Sequence, residues 1–117
     1  MTRQSFTFLG TALVPVVFGC DGQAALAAAR ALAREVVLVG LVRVAPGEPL
    51  SAGAHKARQV RARLRELAAG PQIRFKARVR VSQTPWTDLL AVIAAEEPDL
   101  LLLEWSCHLE ALGVTPA

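Results

Sequence analysis

The segment "ALVPVVFGCDG", Ala12–Gly22, decides how the chain folds. Two structures compete for it: the apolar core and cysteine of an exported lipoprotein's leader, or the first buried strand of a domain followed by its turn. A leader needs a positive start, an unbroken apolar stretch and small residues before the cut. Only Arg3 supplies charge, Gly10 and Pro15 interrupt the stretch, and bulky Phe18 sits beside a cut between Gly19 and Cys20. Leu13 to Phe18 is instead dense in residues that favour strands, and it ends at Gly19 and Asp21-Gly22. That is the pattern of a buried parallel strand and its turn into a helix.

The residues that follow require such a strand. "QAALAAARALAR", Gln23 to Arg34, is built from strong helix formers, with Asp21 placed to cap its first turn. "EVVLVGLVRV", Glu35 to Val44, is too uniformly apolar for a strand with one wet face and predicts a central strand. From Ala54 to Ala69, Ala57, Val60, Leu64 and Leu67 recur at helical spacing, with Lys56, Arg58, Arg61, Arg63 and Arg65 around the rest, until Gly70-Pro71. In "IRFKARVRV", Ile73 to Val81, apolar residues alternate with Arg74, Lys76, Arg78 and Arg80, which predicts an edge strand with four cations on its wet face.

Thr84 stands where it can cap a third helix and Pro85 suits its first position. Leu89, Leu90, Ile93 and Ala94 are its expected buried stripe, and Pro98 stops it. Asp99 to Trp105, with four leucines, reads as a further central strand. Helices between successive strands imply right-handed crossovers and a parallel sheet covered on both faces. Cutting the chain after Phe18 would leave a half-sheet with an apolar edge, so the first strand belongs to the fold and the protein is expected in the cytoplasm.

Composition narrows the function. At 117 residues, 53% hydrophobic and 20% charged, the chain is expected to be one folded domain over residues 1–117 and not a disordered segment. No apolar run reaches the ~20 residues of a membrane span. A formal charge of +3 falls short of the clustered excess of a dedicated nucleic-acid binder, and no specific nucleic-acid partner is expected. Two cysteines do not make a disulfide scaffold.

Taken in order, "ALVPV" with "DG" and an Ala-rich helix, "VVLVGLVRVAP", "QIRFKARVRVS" and "TPWTDLLAVIAAEEPDLLLLEW" resemble the universal stress protein family over Ala12 to about Thr115. The resemblance implies an α/β Rossmann-like three-layer sandwich: an open parallel sheet in the order 3-2-1-4, with the family's last helix and fifth strand, often used for dimerisation, missing. It also implies a regulatory or interaction domain rather than an enzyme, with a second copy or a parent transporter as partner and ATP or AMP as the ligand of those members that bind nucleotide.

Two departures bear on that ligand. Where the family carries an Asp directly after the first strand, this chain has Val17, and the nearest acid is Asp21. Where nucleotide binders carry a Gly-rich phosphate loop after the fourth strand, this chain reads "EWSCHLEALGVT", echoed only by Gly113 and Thr115. Phosphates need small residues that expose backbone N–H groups, whereas Glu104 repels them and Trp105 fills the cradle. The resemblance thus assigns Val17, Asp21, Glu104, Trp105, Gly113 and Thr115 to a degenerate nucleotide site.

Cys20, Cys107 and His108 could meet at the same place as soft-metal ligands or a thiol pair, but they lack metal-site spacing and read more simply as packing. Ser106 has His108 nearby but no nucleophile-elbow motif, so no catalytic residue is assigned. The cations of the second helix and of the Ile73 to Val81 strand are expected to form one basic flank. Its simplest role is a solvated face; the sharper alternative is docking to an anionic surface.

Overall fold

The computed structural model describes residues 9–17, 22–69 and 74–103. In chain order these form β1 (Leu9–Val17), α1 (Gln23–Leu32), β2 (Ala33–Arg43), a 3-10 turn (Leu50–Gly53), α2 (Ala54–Ala68), β3 (Arg74–Ser82), α3 (Pro85–Glu96) and β4 (Leu100–Leu101). All strand pairs are parallel, in the order β3-β2-β1-β4. The protein has the α/β Rossmann-like architecture expected of its sequence.

The segment that opened the problem is the centre of the sheet. β1 pairs with β2 from Leu9↔Ala33 to Val17↔Leu41, and with β4 at Ala12↔Leu100 and Leu13↔Leu101. Its side chains divide by alternation. Ala12, Val14 and Val16 join Val36, Leu38 and Val42 under α1 and α2, while Leu13 and Val17 join Val37, Val39 and Leu41 under α3. Each fully buried Val or Leu contributes about 1.5–3 kcal/mol, so burial on both faces explains why these strands are apolar throughout.

α2 buries Ala57, Val60, Leu64 and Leu67, the stripe read from its spacing. Gly40 in β2 lets it approach, because a Cβ there would stand 2.5 Å from Val60 Cγ1 and 3.3 Å from Leu64 Cδ1. Arg30 of α1 ties three elements together: its guanidinium donates to the Leu67 carbonyl at 2.7 Å and lies 5.1 Å from the centroid of the Phe75 ring in β3.

Several expected details change. α1 stops at Leu32, and Ala33 and Arg34 enter β2, because Ala33 pairs with Leu9 at the start of the β1 ladder. Gly22 holds the N-cap position: it takes φ 66°, and its carbonyl accepts the Leu26 N–H at 2.8 Å, while Asp21, the expected cap, lies outside the described residues. That left-handed conformation suits glycine. β3 ends one residue later than expected, at Ser82.

α3 is rotated from its expected stripe, of which Leu89 and Ile93 pack inward and Leu90 and Ala94 do not. Pro85, Leu89 and Val92 are buried, Trp86 and Ile93 pack beside them, and Leu90 and Ala94 are exposed. The inward stripe also carries Glu96, which reaches the cations of β3. Thr84 holds the N-cap position, but its side chain makes no cap bond; its backbone N–H donates to Ser82 Oγ at 2.9 Å.

β4 is short and, among the described residues, lies at the border of the sheet instead of its centre. Proline explains the length. Asp99 N–H donates to the Thr11 carbonyl and Leu102 N–H to the Leu13 carbonyl, so the odd residues of β1 face β4. The next rung of that parallel ladder needs an N–H at position 15, and Pro15 has none. The same geometry leaves the β2 side of β1 intact, which is how a proline is accommodated in an inner strand.

Candidate functional site

In an open parallel sheet, ligands settle beyond the carboxyl ends of the strands at the point where strand order reverses. That point lies between β1 and β4. Val17 ends β1 there, paired with Leu41 and 5% exposed, with its side chain in the apolar cluster under α3 that includes Leu89 and Val92. A carboxylate turned into that cluster would lose hydration with no cation to replace it. Valine suits the position as core; it offers nothing polar to a ligand.

The opposite wall of the crevice begins with Leu101, Leu102 and Leu103, all half-buried. The start of α1 is different in character. Its first turn contains no acidic residue, its N-cap is a glycine, and no side chain among the described residues bonds to its leading N–H groups. Those donors and the helix dipole give a partial positive charge near the end of β1.

Of the residues assigned to the degenerate nucleotide site, only Val17 is described. Asp21, Glu104, Trp105, Gly113 and Thr115 lie outside the described residues, as do Cys20, Ser106, Cys107 and His108. Gly22, the capping residue at this end of the sheet, was legible only as part of a turn dipeptide.

The expected single basic flank divides across the sheet. Lys76 and Arg78 share register with Val37 and Val39, on the α3 face, and both reach Glu96: Lys76 Nζ at 3.6 Å and Arg78 Nη2 at 3.2 Å. α2 and its arginines lie over the opposite face, where Phe75 shares register with Val36. Strand alternation makes the separation unavoidable, because neighbouring residues of β3 point to opposite sides. Glu96 was missed as a partner because its position on the inward stripe depends on how α3 is rotated.

Arg78 and Arg80 also fold back on their own strand, donating to the carbonyls of Ala77 and Val79 at 3.2 Å each. These bonds occupy acceptors of the edge strand, which supports the reading of its charges as a guard against stray pairing. No described helix is long and apolar enough to cross a membrane.

No protein-family model matches the chain, and no curated protein matches it. Among solved structures, protein Rv1636 from Mycobacterium tuberculosis H37Rv is similar over 82% of this chain and 71% of its own length, with 20% identity and a TM-score of 0.48.

Proposed function

We propose that this chain is a non-catalytic, universal-stress-protein-like domain that acts as a regulatory or interaction module, with a degenerate nucleotide site. The observation that carries this reading is Val17: the strand tip at the topological switch presents a buried valine packed among Leu41, Leu89 and Val92. In the family that the sequence resembles, an acid at this point contacts adenosine. The partners that fit such a module are a second copy of the chain or a transporter to which it is attached on the cytoplasmic side.

A second reading is an ATP- or AMP-binding domain. It is favoured by the start of α1, whose leading N–H groups receive no side-chain cap among the described residues and whose first turn holds no acid. Isothermal titration with ATP and AMP separates the two. The first reading expects no saturable heat up to about 1 mM nucleotide, equivalent to binding weaker than about 4 kcal/mol. Saturation in the micromolar range replaces it with the second. Phosphate release from ATP above the buffer rate would overturn the non-catalytic assignment as well.

A further inference from the structure

Away from the strand tips, the chain has a groove of about 410 Å³ between α2 and the edge strand β3. Leu64, Phe75, Ala77 and Val79 supply an apolar floor, and Arg61 and Arg65 stand at its rim. These two arginines are one helical turn apart, both exposed, and neither has a hydrogen-bond or ion-pair partner among the described residues. Like charges at this spacing repel. The single acid of α2, Glu66, is held by Arg63 at 2.9 Å, and Glu96 serves Lys76 and Arg78 on the other face of the sheet. The Arg30 guanidinium over Phe75 adds a third cation to the same side.

An apolar floor beneath an unneutralised pair of guanidinium groups has a specific complement: an anionic head on a hydrocarbon tail. The volume falls within the ~300–1,000 Å³ of small-molecule sites. A folded protein partner would need a surface of about 20–30 residues, far wider than this groove. We propose that the α2/β3 groove binds a fatty carboxylate, its chain lying on Leu64, Phe75, Ala77 and Val79 and its carboxylate held by Arg61 and Arg65. The site is separate from the strand tips and does not depend on whether nucleotide binds there.

The test is calorimetric titration of the full chain with decanoate, 1-decanol and acetate below micelle-forming concentrations. Decanoate is expected to bind one per chain, with decanol at least about tenfold weaker, since it forfeits the charge-assisted hydrogen bonds. Acetate, which has no tail, should give no saturable signal. The pair of substitutions Arg61→Gln and Arg65→Gln should weaken decanoate by about tenfold or more, with the far-ultraviolet circular dichroism unchanged. Ala77→Trp, placed at an exposed position to fill the groove, should abolish binding while both arginines remain. No saturable decanoate binding, equal binding of decanol, or undiminished affinity in either variant overturns the proposal.

Discussion

Thr11 and Asp99 bond to each other twice: the Thr11 N–H donates to Asp99 Oδ2 at 2.9 Å, and the Asp99 N–H donates to the Thr11 carbonyl at 2.8 Å. This reciprocal pair starts the β1/β4 pairing and sets the register that carries Leu100 and Leu101 alongside Ala12 and Leu13. It is the fastening of the strand that defines the switch point.

Asp99→Ala should therefore lower stability by about 1 kcal/mol, less than the ~1.5–3 kcal/mol of a shielded bond to a charged group because the site is exposed to water. Asp99→Asn keeps an acceptor and should lose less. Urea denaturation of the three proteins orders them; equal midpoints would mean that the β1/β4 pairing does not depend on this side chain.

Gly40→Ala should cost about 1–3 kcal/mol, the usual penalty of overpacking, since the added methyl meets Val60 at 2.5 Å and Leu64 at 3.3 Å. A thermal melt reads the loss directly. Pairing the change with Val60→Ala should recover part of it, because the closest clash is then removed.

Leu89 and Leu90 are adjacent in sequence and opposite in environment: Leu89 is 0% exposed and Leu90 is 48% exposed. Leu89→Ala should cost about 2–5 kcal/mol by emptying the core under α3. Leu90→Gln should stay within about 0.5 kcal/mol of the parent. Denaturation midpoints that rank the two the other way would show that α3 is rotated differently on the sheet.

Glu96→Gln removes the shared anion from Lys76 and Arg78 and should cost no more than about 1 kcal/mol, because both cations are substantially exposed. The sharper readout is salt. Raising ionic strength should narrow the gap between parent and variant as screening weakens the ion pairs. A gap independent of salt would assign the carboxylate a purely packing role.

The residue pattern alone determined which segments are strands and which are helices, because each rests on local chemistry, whereas the sheet order was an expectation of the family resemblance. Buried parallel strands must be apolar on both faces, as β2 is, and an amphipathic helix must repeat Ala57, Val60, Leu64 and Leu67 on one side. The alternation in β3 likewise separated its cations from Phe75 before any partner was known. Tertiary structure decided what depends on relative placement: which face of α3 turns inward, that Glu96 serves Lys76 and Arg78, and that β4 stops where Pro15 withholds an N–H. It also set Arg61 and Arg65 over the apolar side of β3, forming a groove from residues that read separately as a charged helix face and an alternating strand. The difference is physical: periodicity follows from the geometry of one element, whereas rotation, register and shared counter-ions arise only when two elements pack.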